Sequence, residues 1–74
     1  MIFLDAVAYI LQKEGNRARL KKTENYPHNM EIFSARHPAN KNDPCLFTYV
    51  KIERSIPMPL NINSEILDTN WEMV

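Results

Sequence analysis

The start of the chain carries apolar side chains at intervals of three and four residues, at Phe3, Leu4, Val7, Ile10 and Leu11. This spacing collects them on one side of an α-helix, so we predict an amphipathic helix from Phe3 to Lys13. Gly15 is the only glycine of the chain. Because glycine readily adopts the left-handed conformation that ends helices, Gly15 is predicted to terminate this one.

Beyond Gly15 the pattern changes to the two-residue alternation of β-strands. From Arg17 to Lys22 a strand is predicted that places Arg17, Arg19 and Lys21 on one face and Ala18 and Leu20 on the other. Residues 23–29 are rich in turn formers and predict a loop. The run Met30–Ala35 is predicted to be the second strand of a hairpin.

The clearest strand pattern is Leu46–Glu53, which is rich in β-branched and aromatic residues. Its alternation places Phe47 and Tyr49 on the face opposite Val50. A polar segment bounded by prolines, residues 37–44, precedes this strand and predicts a loop. The run Ile56–Leu60 contains two prolines, which cannot donate to a β-ladder, so it is predicted at an edge of the sheet.

The last eleven residues combine a short polar turn with the only tryptophan of the chain. Ser64 is predicted to cap one helical turn, because serine is a preferred N-cap residue. Asn70 is predicted to close that turn with a positive φ angle. A strand then follows that places Trp71 and Met73 on one face, so we expect the indole to be covered.

Together these elements predict an α+β fold in which one N-terminal helix packs on a small antiparallel sheet of four to five strands. The 74 residues fit a single ligand-binding domain spanning residues 1–74. A domain of this size buries only ~60% of its extended surface on folding. Because one cysteine cannot form an internal disulfide, we expect a homo-oligomer, a dimer or a tetramer, to supply further burial.

Composition excludes several classes of protein. Nine basic and nine acidic side chains give a formal net charge of zero, which argues against binding duplex nucleic acid through bulk charge. No apolar run approaches the ~18 residues of a membrane span, and the first residues do not form a secretory signal. We therefore expect a cytoplasmic protein with no membrane partner.

The basic side chains are nevertheless clustered, with four of them within six residues. A ligand with phosphates and bases needs cations, an aromatic ring to stack on and amides to read base edges. The candidate ligand-binding residues that supply these groups are Arg17, Arg19, Lys21, Lys22, Tyr26, Asn61, Asn63 and Ser64. The simpler interpretation of the charges is a solvated strand face.

Catalytic and metal sites find little support in the sequence. Cys45 with His28 or His37 is the available Cys–His pair, and no third group is marked to orient it. These three residues are also too few for a structural zinc site. The single glycine excludes phosphate-binding and dinucleotide-binding loops. We therefore predict a protein that is not an enzyme and has no metal and no cofactor.

Two segments carry a family resemblance. Phe3-Leu-Asp-Ala-Val-Ala-Tyr-Ile-Leu11, followed by Gly15 and the basic strand, is similar to the N-terminal pattern of the small phage anti-defence proteins that act against the Thoeris system. Ile66-Leu-Asp-Thr-Asn-Trp-Glu-Met-Val74 resembles the ending of those proteins, in which a tryptophan precedes a final apolar strand. Leu46–Glu53 resembles their central strand.

This resemblance implies a phage immune-evasion protein in the host cell cytoplasm that acts as a homo-oligomeric sponge. Such proteins sequester, without cleaving it, a cyclic nucleotide second messenger of bacterial defence, either a CBASS cyclic oligonucleotide or a Thoeris cyclic ADP-ribose derivative. The ligand is then expected on the basic strand, Tyr26 and the segment from Asn61 to Ser64. Because one small protomer hardly encloses a cyclic dinucleotide, we expect the site between protomers.

Two alternatives remain open at this stage. The same surface can dock on a host defence protein, as in an anti-CRISPR-like inhibitor. A nuclease or phosphodiesterase that destroys the signal is the third possibility.

Overall fold

The computed structural model describes residues 1–24, 26–36, 39, 42 and 45–74. These residues form one α-helix, α1 (Phe3–Gln12), and five strands: β1 (Arg17–Leu20), β2 (Met30–Arg36), β3 (Leu46–Ile52), β4 (Met58–Pro59) and β5 (Glu72–Met73). All strand pairs are antiparallel, in the order β4-β3-β2-β1-β5. The predicted α+β fold is confirmed. The loop predicted for residues 37–44 lies mostly outside the described residues.

The helix packs on the sheet through a narrow apolar stripe. Phe3, Ala6 and Ile10 are buried, whereas Leu4 and Leu11 remain 58% and 42% exposed. The buried stripe is therefore narrower than the predicted apolar side, because the sheet covers a single face of the helix. Gly15 has the predicted positive φ, 95°, but the helix ends before it, because the backbone is already extended at Lys13. Gly15 therefore turns the chain after the helix rather than terminating it.

Two side chains satisfy carbonyl groups at the end of α1. The hydroxyl of Ser34, on β2, is buried and donates to the carbonyl of Ile10. The side-chain amide of Asn16 donates to the carbonyl of Tyr9 at 3.0 Å. The last four carbonyls of a helix have no partner within the helix, so these two bonds fix the C-terminal end of α1 on the sheet.

The core lies between α1 and one face of the three central strands. Ala18 and Leu20 of β1, Ile32 of β2 and Val50 of β3 are all buried on that face. The register pairs Ala18 with Ile32 and Ile32 with Val50, so these side chains form one apolar row beneath the helix. The predicted facing of the basic strand, with Ala18 and Leu20 inward, is confirmed.

The C-terminal segment closes the core against the start of the chain. Trp71 is 1% exposed, and its ring centroid lies 5.9 Å from that of Phe3. The main-chain nitrogen of Trp71 donates to the Met1 carbonyl at 2.6 Å, and the Met1 nitrogen donates to the Trp71 carbonyl at 2.8 Å. These contacts hold the residue that precedes β5 against the start of the chain, and they confirm that the indole is covered.

Two details of the predicted final turn are wrong. The turn is a 3₁₀ helix, Ile66–Asp68, and the side chain that accepts from its first amide is Asn63, at 2.9 Å from the Ile66 nitrogen, rather than Ser64. Asn70 does not have a positive φ; among the described non-glycine residues only Glu53 does. Thr69 closes the turn instead, because its amide and its hydroxyl both donate to the Ile66 carbonyl.

Both edges of the sheet are very short. Strand β4 pairs with β3 through Tyr49 with Pro59 and Val50 with Met58, as predicted for a proline-containing edge. Strand β5 pairs with β1 through Ala18 with Met73 and Arg19 with Glu72. Short edge strands present few free ladder groups to other chains.

Candidate functional site

The face of the sheet turned away from α1, which we call the open face, carries the basic residues of β1. Arg17 and Arg19 are exposed there, because the neighbouring Ala18 and Leu20 point into the core. Lys21 continues the same face, since its Nζ lies 3.6 Å from Oε1 of Glu72, the residue that pairs with Arg19. Successive residues of a strand point to opposite faces, so the alternation of the sequence alone produces this line of cations.

Across the strands the open face alternates in charge. The register aligns Glu72 of β5, Arg19 of β1, Glu31 of β2 and Lys51 of β3 in one row. Arg17 also contacts this row, because its Nη1 lies 2.9 Å from Oε1 of Glu31. Both acids thus partner the basic strand, in exposed ion pairs that contribute ~0–1 kcal/mol each.

One groove on this face collects most of the positive charge; we call it the cationic groove. It has a volume of about 580 Å³ and is lined by five cationic and two acidic side chains together with Asn29 and Met30. The charged lining residues are Arg17, Arg19, Lys21, Lys22, Lys51, Glu31 and Glu53. The excess of cations makes this groove attractive to an anion although the whole chain is neutral.

An aromatic row borders the charged row on the same face. The register aligns Arg17, Phe33, Tyr49 and Pro59 across four strands. The ring centroids of Phe33 and Tyr49 lie 5.7 Å apart with planes 24° from parallel, and the Arg17 guanidinium carbon lies 5.9 Å from the Phe33 centroid. The open face therefore combines a row of charged residues with a stacked aromatic pair in the next row, about 7 Å away along the strands.

Tyr26, Asn61 and Asn63 lie elsewhere, around a second groove that we call the apolar groove. This groove has a volume of about 720 Å³ and is otherwise lined mainly by apolar residues of the 56–66 segment and strands β2 and β3. The Tyr26 hydroxyl is buried without a hydrogen-bond partner among the described residues. Its ring is partly buried against the core.

A third, acidic groove is the place where Tyr26 comes closest to the basic strand. Its volume is about 440 Å³, and Tyr26 lines it together with Arg19 and Lys21. Three carboxylates, Glu65, Asp68 and Glu72, line it as well and outnumber the two cations. This excess of negative charge makes the acidic groove a poorer phosphate site than the cationic groove.

The predicted site is therefore divided by the fold. The four cations, Arg17, Arg19, Lys21 and Lys22, come together in the cationic groove. Asn61 and Asn63 line only the apolar groove among the three, and the exposed Ser64 lines none of them. Asn63 is also engaged in capping the 3₁₀ turn.

Sequence reasoning missed three residues of the open face. Lys51, Phe33 and Tyr49 join the basic strand there through the β1–β2 and β2–β3 registers. The alternation within β3 already placed Lys51 on the same face as Tyr49. The position of both residues beside Arg17 and Arg19 depends on the strand order and register, which the local sequence pattern does not determine.

The structure describes Cys45 and His28 of the Cys–His pairs considered from sequence. Cys45 is exposed, and Nδ1 of His28 lies 3.4 Å from Oε1 of Glu53 in an exposed pair. His37 lies outside the described residues. Within the described part of the chain, no group of three or more metal-ligating side chains is found.

Comparison with known proteins gives no relative. No protein-family model, no curated protein and no solved structure matches this chain. Among the described residues, no helix has the length and apolar character needed to cross a bilayer. The resemblance to phage anti-defence proteins therefore stays a prediction from sequence motifs.

Proposed function

We propose that this protein binds an anionic nucleotide in the cationic groove and sequesters it without cleaving it. The observation that carries the proposal is the concentration of five cationic side chains around a groove on the open face of a neutral chain. Phosphate groups are the ligands that such clusters of Arg and Lys bind best. The ion pairs with Glu31 and Glu72 are exposed and weak, so a phosphate can replace them.

The aromatic row supports a nucleotide rather than a simple anion. Phe33 and Tyr49 lie next to the cations on the same face, where a base can pack while its phosphate stays in the cationic groove. Antiparallel sheets that bind nucleotides commonly use aromatic side chains of the exposed face in this way.

The motifs at both ends of the chain support a biological role for this binding. They resemble phage anti-defence proteins, so we propose that the ligand is a cyclic nucleotide second messenger of bacterial anti-phage defence and that the protein is an immune-evasion sponge in the host cytoplasm. A sponge needs tight binding and slow release rather than a transition state. A Kd of ~10 nM corresponds to about 11 kcal/mol.

The cationic groove is shallow for such an affinity, and we propose that it is completed in a homo-oligomer. Its walls are side chains of a sheet face against which no described element packs. A second protomer facing this surface would exclude water and strengthen every contact to the ligand. Binding and assembly would then stabilise each other.

Isothermal titration calorimetry tests the proposed site. The panel contains cyclic di- and trinucleotides and cyclic ADP-ribose isomers, and we expect heat of binding from at least one of them. Lys51→Ala should weaken that binding about 5- to 30-fold if it loses a charge-assisted contact. Lys13→Ala, which removes the same charge from an exposed position outside the groove, serves as the control. A folded protein that binds none of the panel contradicts the proposal.

Recovery of the ligand distinguishes sequestration from destruction. The complex is heated and the released nucleotide is identified by mass spectrometry. A sponge releases the intact cyclic molecule. A linear product would identify the nuclease or phosphodiesterase instead.

A second function, inhibition of a host defence protein by direct docking, is favoured by one observation. Ile56, Met58 and Ile62 are 83%, 46% and 60% exposed within a single short segment. Neighbouring exposed apolar side chains of this kind mark protein-binding surfaces. In this case a host protein should be captured from lysate, Ile56→Ser and Ile62→Ser should abolish the capture, and no nucleotide should be needed.

A further inference from the structure

The cations of the basic strand are regularly spaced. Arg17 and Arg19 are two residues apart on β1, which corresponds to about 7 Å along an antiparallel strand. Lys21 follows after the same interval and stays on the open face, as its contact with Glu72 shows. Three basic residues therefore follow one another along the open face, with their Cα atoms about 7 Å apart.

This spacing discriminates between two kinds of phosphate ligand. In an oligonucleotide a sugar separates successive phosphodiester groups, so the negative charges lie far enough apart to be met by different cations of the line. In a pyrophosphate the two phosphorus atoms share one bridging oxygen, so both charges fall opposite a single cation. A pyrophosphate thus leaves the outer members of the line without a phosphate.

We propose that the cationic groove is specific for phosphodiester-linked oligonucleotides, cyclic or linear, over pyrophosphate-linked nucleotides such as ADP-ribose derivatives. This inference rests on the proposed nucleotide-binding function and names the ligand class of the same site. Arg17 and Lys21 each meet one phosphodiester group, and Arg19 lies between them. Lys51, two strands away from Arg19, lies about 10 Å across the sheet and binds the distal side of a cyclic ligand.

In the free protein the two outer cations of the line, Arg17 and Lys21, are engaged in ion pairs. Oε1 of Glu31 lies 2.9 Å from Nη1 of Arg17, and Oε1 of Glu72 lies 3.6 Å from Nζ of Lys21. Both outer cations must therefore exchange a carboxylate for a phosphate when the ligand binds. Removing the charge of Glu31 frees Arg17 for the ligand, so Glu31→Gln should tighten oligonucleotide binding by about 2- to 5-fold.

Calorimetry at low ionic strength with four defined compounds tests this specificity. Cyclic di-AMP and the linear dinucleotide pApA carry phosphodiester groups, whereas ADP-ribose and cyclic ADP-ribose carry a pyrophosphate. We expect the tighter-binding dinucleotide to have an affinity at least tenfold higher than either pyrophosphate compound. Arg17→Gln and Lys21→Gln should each lower the dinucleotide affinity severalfold and change pyrophosphate binding by less than twofold, with Lys13→Gln as the control.

The outcomes distinguish failure of the ligand specificity from failure of the nucleotide-binding function. Equal or tighter binding of the pyrophosphate compounds overturns the specificity while the nucleotide-binding function stands. An equal loss of both ligand classes in Arg17→Gln and Lys21→Gln also overturns it. Absence of binding by all four compounds, with circular dichroism showing a folded protein, removes both the specificity and the proposed function.

Discussion

Replacing Ser34 with alanine removes the hydroxyl that joins β2 to the end of α1. Ser34 is 2% exposed and is the only polar side chain classed as buried among the described residues. Its hydroxyl donates to the Ile10 carbonyl and lies 3.4 Å from the Lys13 carbonyl oxygen. Alanine fits the same space but leaves the buried Ile10 carbonyl without this donor.

The expected loss of stability comes from leaving the buried Ile10 carbonyl without its hydrogen-bond donor. A buried polar group left without its partner costs about 1–3 kcal/mol, whereas the methyl group of alanine adds no clash. We expect Ser34→Ala to lower the free energy of unfolding by about 1–2 kcal/mol. For a domain of this length the loss lowers the Tm by roughly 4–16 °C. A loss of about 1–2 kcal/mol is a substantial part of the total free energy of unfolding, which is about 4–11 kcal/mol for 74 residues.

Urea unfolding followed by far-ultraviolet circular dichroism measures the effect, and Ser64→Ala provides a matched control. Ser64 is exposed, so the same chemical change there should alter stability by less than about 0.5 kcal/mol. If Ser34→Ala unfolds at the same urea concentration as Ser64→Ala, the Ser34 hydroxyl does not hold the helix on the sheet.

Three further substitutions test separate features of the fold. Trp71→Phe should lower the free energy of unfolding in urea by about 1–3 kcal/mol, because the variant loses buried indole volume and the 2.7 Å hydrogen bond from Nε1 to the Thr69 hydroxyl. An unchanged unfolding midpoint would show that neither contributes to stability. Tyr26→Phe removes a buried hydroxyl that has no hydrogen-bond partner among the described residues, so thermal unfolding should show unchanged stability or a gain of up to about 1 kcal/mol. A clear loss of stability would show that the hydroxyl does have a hydrogen-bond partner. Gly15→Ala should lower the Tm through about 1–2 kcal/mol of backbone strain, because φ is 95° and, beyond its chain neighbours, no atom of the described residues lies within 4 Å of the added methyl. Gly15→Asn should lower the Tm less, and equal losses would contradict strain as the cause.

Periodicity predicted the elements well because it is a local property. The helix from Phe3 needed only its apolar spacing, and the facing of β1 needed only the alternation from Arg17 to Leu20. The final turn shows the limit of such reasoning. Asn63 and Ser64 are both good N-cap residues, and the geometry of the chain entering the turn decides that Asn63 accepts the hydrogen bond.

The candidate site was less predictable because it depends on contacts between distant segments. The cations of β1 were found from sequence since they are neighbours in the chain. Tyr26 belongs to a loop, and its packing against the core instead of the open face depends on how that loop folds. The contribution of Lys51 and Phe33 required the strand order and register, which sequence periodicity leaves undetermined.

NMR mapping determines whether nucleotide phosphates bind to the open face of the sheet. Amide resonances of the ¹⁵N-labelled protein are followed during titration with cyclic di-AMP. We expect chemical-shift changes concentrated on residues 17–22, around Glu31 and around Lys51, with little change at Asn61 and Asn63. Shifts confined to the apolar groove around Asn61, or no shifts at saturating nucleotide, would contradict binding to the open face.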